Sequence, residues 1–400
     1  MHALPARLSR HRYRAIIALC VFAPAVSSGC ARSDLTDPDT ASPEQPDRVG
    51  AALVAPSWPA TIIASLPPAA RPVWEACRAA GTLRPAGVPF VVGVNCRIIR
   101  VDGVDRRYVV HVPNHPNVTS GADVPLVVMY HGTAQDGEHF YEESAWQEEA
   151  DANGFIFAFP SAATYRLLDG TLATKWNAYG LGEVIDSTWV PPALPVGAPW
   201  PLDDITFTNE LLDDIEAGAN IDVRREHVSG FSNGGSFVGR IAVELGSRIA
   251  SAAAVTNPFP VAYLAATPIP FQYVLGNRDA NAIDAINRNL LPGQASVVTV
   301  PMDPAMLFSH FDPDTRRINM ANTFQLDPAA WTSTQSLTAT GMVWQTPQAG
   351  NLTGNEVEWW IIRGMEHEYA RGPGRRYPPN NPGGFDAPHL FWSWFATHTK

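Results

Sequence analysis

Residues 227–245 read HVSGFSNGGSFVGRIAVEL, and whether Ser232 sits there on a sharp turn or in an ordinary glycine-rich loop decides how the rest of the chain folds. A G-x-S-x-G match arises by chance in roughly one chain of this length in ten, so the match alone decides nothing. Its surroundings do. HVSG is a short apolar strand pattern, and SFVGRIAVEL carries apolar residues at helical spacing. Between them the chain must reverse within very few residues, which drives the central one toward positive φ. Gly230 and Gly234 remove the side chains that would collide there, and Gly235 allows still closer packing. Ser232 is left clear of the strand at a helix N-terminus, where backbone N–H groups favour negative charge.

Outward from this turn, the hairpin pattern VVGVNCRIIRV (91–101) and RRYVVHVP (106–113), joined through Asp102 and Gly103, begins the sheet antiparallel. Short, nearly continuous apolar runs follow: PLVVMY (125–130), FIFAFP (155–160), HVSG, ASAAAV (250–255), FQYVLG (271–276) and VEWWIIRG (357–364). Strands covered on both faces look like this. Helical patterns alternate with them, one starting behind Asp203 and Asp204, and FDAPHLFWSWFATH closing the chain. The fold class is therefore α/β, a mostly parallel doubly wound sheet with an antiparallel N-terminal hairpin. Ligands in that class bind at the carboxyl ends of the strands, which is where Ser232 lies.

A serine hydroxyl is nearly inert at neutral pH, so it needs a general base, and the base needs an orienting carboxylate. FQYVLG is followed by NRD, placing Asp279 just past a strand end, with Asp284 as a competitor in the same loop. VEWWIIRG is followed by MEH, which does the same for His367. Upstream, PLVVMYHGTAQDG puts a loop after a strand, and the backbone N–H groups of Thr133 and Asn233 are the candidate oxyanion donors. His131 is read as holding its loop. His111, His227, His389 and His398 are read as packing or surface residues. No His/Cys/Asp cluster has metal-ligand spacing, so no metal or other cofactor is expected.

The first residues belong to no fold. Arginines at 7, 10, 12 and 14 precede an apolar run, Ala15 to Val26, too short to span a bilayer, and residues 1–29 read as an export signal. It ends at SSGC, which resembles a bacterial lipobox with Cys30 as the lipidated residue; Ser27 stands where leucine is usual, and plain secretion is the alternative. Residues 30–65 read as a tether poor in apolar side chains. Residues 66–400, about 335 in all, suffice for one large domain. The net charge of -11 and the lack of a Lys/Arg cluster past the signal argue against a nucleic-acid partner and favour a neutral substrate. The membrane is a partner only through the lipid. Cys77 and Cys96, the pair left in the exported domain, are expected to form a disulfide, with two buried thiols as the alternative.

Taken together, DRRYVVHVP, YHGTAQDG, KWNAYG, Asp203–Asp204, GFSNGG, LGNRD and DAPHLFWSWFATH resemble the secreted poly(3-hydroxybutyrate) depolymerase and feruloyl esterase group of α/β-hydrolases, over roughly residues 90 to 400. The resemblance implies a serine carboxylic-ester hydrolase with Ser232, Asp279 and His367 as its triad and the HG loop in its oxyanion hole; the alternatives are a non-catalytic surface lipoprotein that uses the fold as a binding module and a serine peptidase on the same fold. The chain departs from the group at GMEHEYARGPG (364–374) and in the length of the segment from Asn289 to Gln348. The group shares one fold across polyester, feruloyl and acetyl esters, so the fold does not choose among them. Residues 161–202 form a long connection, and loops of that length are usually functional. Its Trp176, Asn177, Trp189 and Trp200 are candidates for holding the substrate. The competing reading is that the tryptophans pack the loop onto the body.

Overall fold

The computed structural model describes residues 60–256, 263–288, 299–303, 316–327, 329–336, 339–345, 355–369 and 385–400. The expected signal, Cys30 and the tether up to residue 59 lie outside the described residues. The last stretch assigned to the tether is not tether: Ala60–Ser65 form helix α1, and Ile63 is buried with Leu66, Val73 and Trp74. The polar composition that marks the tether ends near Arg48, and ATIIAS is itself largely apolar, so a boundary at residue 65 lies too late in the chain. Among the described residues, no helix is long and apolar enough to cross a membrane.

The helices are α1, α2 (Arg71–Ala80), α3 (Pro116–Thr119), α4 (Gly137–Glu143), α5 (Trp146–Asn153), α6 (Asp204–Gly218), α7 (Asn233–Glu244), α8 (Ala280–Arg288), α9 (Arg316–Thr323) and α10 (Ala387–Phe395). The strands run β1 (Leu83–Pro85), β2 (Gly93–Val101), β3 (Val104–Val112), β4 (Val124–Tyr130), β5 (Ile156–Pro160), β6 (Ala163–Arg166) and β7 (Leu172–Lys175). After these come β8 (Ile221–Phe231), β9 (Ser251–Val255), β10 (Phe271–Gly276), β11 (Trp331–Gln335), β12 (Ala339–Gln345) and β13 (Glu356–Ile362).

Eleven of these strands form one sheet in the order β1-β2-β3-β5-β4-β8-β9-β10-β13-β12-β11, and β6 and β7 form a separate hairpin. The six central strands, β5 through β13, are mutually parallel, and antiparallel pairs flank them on both sides. Alternation along β4 explains the layering. Leu126, Val128 and Tyr130 face a core with α6 and α7, while Val127 and Met129 face one with α2, α5 and α10. Both faces being covered, all seven residues of β4 are buried, which is why its sequence reads as an unbroken apolar run.

Asp203 caps α6, accepting from the N–H groups of Ile205 and Thr206. Cys77 of α2 and Cys96 of β2 are joined by a disulfide, Cα–Cα 5.9 Å, fastening that helix to the sheet. The same helix is held by Glu138 of α4. This buried carboxylate accepts from Trp74 Nε1 at 2.6 Å, Arg107 Nε at 2.9 Å and Ser161 Oγ at 2.9 Å.

Candidate active site

Strand β8 ends at Phe231 and α7 begins at Asn233, so one residue, Ser232, makes the reversal. Its backbone sits at φ 53°, ψ -118°, a conformation a non-glycine residue adopts only when its surroundings force it. Those surroundings are backbone. A Cβ on Gly234 would collide with the carbonyl of Tyr130, and one on Gly230 with the carbonyl of Gly234. Ser232 N–H donates to Val255 O at 2.9 Å, fastening the turn to the end of β9.

Two and three strands along the sheet from β8 lie the acid and the imidazole. Asp279 follows β10 and caps α8, accepting from Ala282 N–H at 2.9 Å; its side chain is fully buried. His367 follows β13. Its Nδ1 lies 3.0 Å from both carboxylate oxygens of Asp279, and its Nε2 lies 3.0 Å from Ser232 Oγ. With Nδ1–H donating to the carboxylate, Nε2 is free to accept the serine proton. Asp284, the alternative acid, is exposed on α8. The loops bearing the acid and the imidazole are stitched by Asn277: its Oδ1 accepts from Gly364 N–H at 2.7 Å and its Nδ2 donates to Met302 O at 3.2 Å. Sequence reasoning missed Asn277, although it lies within the quoted LGNRD.

Thr133 follows β4, and Asn233 opens α7. Among the described residues, neither backbone N–H donates to another backbone group. Asn233 also clamps the neighbouring chain, its Oδ1 accepting from Trp176 N–H at 2.7 Å. His131 is buried under the Thr133 loop. Its Nδ1–H donates to Gly132 O at 2.7 Å, and its Nε2 accepts from Ala162 N–H at 3.0 Å. Burial pushes its pKa down to about 4, so it is neutral and structural. His227 is likewise neutral, its pKa lowered to about 3 by burial, and stacks on Phe395. His111 and His389 pair with Asp151 and Glu149 at 2.8 and 3.3 Å, and His398 donates to Trp394 O or accepts from Thr397 according to its tautomer. None of these four reaches the site.

Beside His367 opens a cavity of about 240 Å³ floored by Phe140, Phe231 and Tyr369, with Gln135, Glu143 and Glu368 at its polar side. Phe231 packs against the His367 ring at 5.4 Å between centroids. Glu366 turns outward to Arg278, 3.7 Å away.

The four substrate-holding candidates fall elsewhere. Trp176 is fully buried, stacked on Phe237 at 5.4 Å, with its Nε1 donating to His131 O at 3.0 Å. Asn177 spends its polar groups on the fold, N–H to Asp204 Oδ2 at 2.6 Å and Nδ2 to Leu202 O at 2.8 Å. Trp189 and Trp200 pack edge-to-face and line a different cavity, about 410 Å³, with Leu66, Ile98 and Leu202. Tryptophan in a long polar connection looks available, but the core pocket that Trp176 fills is built by residues far off in sequence.

No protein-family model matches the chain. It is similar to a bifunctional acetylxylan esterase/xylanase of Neocallimastix patriciarum, 26% identical over 195 residues, 48% of this chain and 24% of that protein. It is also similar to a protein named as an esterase, NocK, of Nocardia uniformis subsp. tsuyamanensis, 29% identical over 187 residues, 46% of this chain and 48% of that protein. The chain thus spans about a quarter and about half the length of these two relatives. Among solved structures, the acetyl xylan esterase of Aspergillus awamori aligns with a TM-score of 0.46 at 13% identity, over 76% of this chain and 99% of that one. An S-formylglutathione hydrolase of Agrobacterium tumefaciens aligns with a TM-score of 0.39 at 12% identity, over 69% and 88%. The sheet order, the turn at Ser232 and the site at the strand ends define the architecture by themselves. The fold is that of the α/β-hydrolases.

Proposed function

We propose that the protein is a serine carboxylic-ester hydrolase working through an acyl-enzyme. Ser232 is the nucleophile, His367 the general base and then acid, and Asp279 the residue that orients the imidazole. One observation supports this above others: serine, imidazole and buried carboxylate form a single hydrogen-bonded chain, with the serine on a strained turn at a helix N-terminus.

The chemistry follows from that chain. His367 Nε2 takes the hydroxyl proton as Ser232 Oγ attacks the ester carbonyl, and Asp279 stabilises the imidazolium that forms. The backbone N–H groups of Thr133 and Asn233 receive the oxyanion. Collapse expels the alcohol, which takes its proton from His367, and a water activated by the same imidazole then releases the acid. The route needs no cofactor.

For substrate, the reading is a neutral ester, in keeping with the acidic chain: an acetyl, feruloyl or polyhydroxyalkanoate ester, acetyl esters of carbohydrate coming first because of the acetylxylan esterase relative. In the same proposal, residues 1–29 and the SSGC site support an activity outside the cytoplasm, either on a tether lipidated at Cys30 or plainly secreted. Residues 60–400 then form the catalytic body.

Labelling by a fluorophosphonate probe tests the chemistry, since only an activated serine reacts. Wild type is expected to label and Ser232→Ala to stay unlabelled; equal labelling of both would sink the assignment. A panel of short-chain aryl esters, feruloyl esters, acetylated xylan and polyhydroxybutyrate then sorts the substrates.

A further inference from the structure

We infer that Lys175 is a positioning residue for the oxyanion loop, which it fixes through Thr133 and holds at positive potential; the inference rests on the ester-hydrolase reading above. Lys175, one of only two lysines in the sequence, ends β7 half-buried, and its Nζ donates to Thr133 Oγ1 at 3.0 Å. Among the described residues, no carboxylate lies within ion-pair distance of it. A cation withdrawn from water without a counter-ion is costly, and a chain with 39 acidic residues has put none of the described ones beside it.

Its neighbours explain the position. Thr174 O accepts from Ala134 N–H at 3.0 Å and Thr174 Oγ1 donates to Gln135 O at 2.5 Å, while Trp176 N–H donates to Asn233 Oδ1 at 2.7 Å. Residues 174–176 therefore join the two segments that carry the candidate oxyanion donors, and Lys175 is the middle one. From Nζ to the Thr133 nitrogen the path through the hydrogen bond and three covalent bonds is about 7 Å, an upper bound on their separation.

Charge of the opposite sign collects on the imidazole side, where Glu143 and Glu368 line the cavity beside His367. The transition state develops an oxyanion on the Thr133 side and an imidazolium on the Glu368 side, so the fixed charges match its polarity. Desolvation lowers the pKa of Lys175, as befits an ammonium held for an anion that arrives only during reaction.

Lys175→Met, Lys175→Gln and Lys175→Arg separate charge from hydrogen bonding. Each is assayed on an aryl ester, with melting temperature as the folding control. Methionine and glutamine are expected to lower kcat about tenfold or more with KM within about twofold, and arginine to stay within about threefold of wild type. Glutamine keeps a donor for Thr133 and is polar enough to serve where methionine does not fold. The inference is overturned if glutamine matches wild type, if neither uncharged variant loses kcat, or if arginine is as poor as they are. A wild-type protein that neither labels with fluorophosphonate nor turns over any ester would remove the hydrolase reading itself, and this inference with it.

Discussion

The serine side of the site is backbone pressed against backbone at two glycines, whereas the acid–base side has one such approach, Gly276 on the Met365 carbonyl, and adds side-chain hydrogen bonds between segments 87 residues apart. Around Ser232, Gly230 and Gly234 are packed so close to backbone that neither position has room for a side chain. At the His367 loop, hydrogen bonds supplement the single close approach. Asn277 bridges Gly364 and Met302, and Arg278 N–H donates to Met365 O at 3.0 Å. The difference is one of degree: the strained turn is enclosed by backbone alone, while the imidazole loop also depends on side chains for its placement.

The largest effect expected joins the two sides. Ser232→Ala and His367→Ala should each lower kcat by several orders of magnitude, and the double variant should be little worse than either, because the two act as a unit. Additive losses in a kinetic cycle would show that they do not. Next, Gly234→Ala should cost more than about 3 kcal/mol in urea unfolding, since a methyl has no place beside the Tyr130 carbonyl and backbone cannot yield cheaply. A well-folded, fully active Gly234→Ala protein would mean the turn is not sterically locked.

Asn277→Ala probes the acid–base side. It leaves a half-buried N–H and a buried carbonyl without their partner, an expected loss of about 2 kcal/mol, with kcat falling about tenfold as the imidazole loop drifts. Stability lost at unchanged kcat would show that Asn277 supports the fold alone.

The last effect touches stability alone and comes from His131, under the Thr133 loop. Its folded pKa of about 4 lies below the ordinary 6.5, so between these values the unfolded chain binds more protons. Its share of stability is complete above about pH 6.5 and is lost as pH falls toward 4. The loss is roughly 2 kcal/mol by pH 5, with His227 adding a loss of the same sign. Urea melts that superimpose at pH 8 and pH 5 would contradict this.

What was legible in the sequence follows the same division. GFSNGG announces its turn because every residue that enforces it lies within a few positions or at a recognisable strand end. The strand-end placement of Asp279 and His367 was legible too, since continuous apolar runs mark buried parallel strands. The hairpin β6–β7 and the strands β11 and β12 were not. WTSTQ is nearly all exposed at the sheet edge, and the hairpin sits within a connection that reads as loop. Strand β8 starts six residues earlier than its apolar run because Arg224 and Arg225 hide it, held by Asp222. Asn277, Lys175 and Glu138 carry no local signal, because their partners lie 87, 42 and 64 residues away.

Glu138 sets a limit for anyone trimming this chain. It opens α4, the helix directly behind the Thr133 loop, yet one of its three donors is the indole of Trp74 near the start of the folded body. A truncation that removes residues 1–59 leaves that indole in place. One that removes α2 takes it away along with the disulfide, and the cut end would be felt as a loosened carboxylate in the helix that follows the Thr133 loop. The safe starting point for a shortened version is therefore set by a tryptophan, not by the first strand.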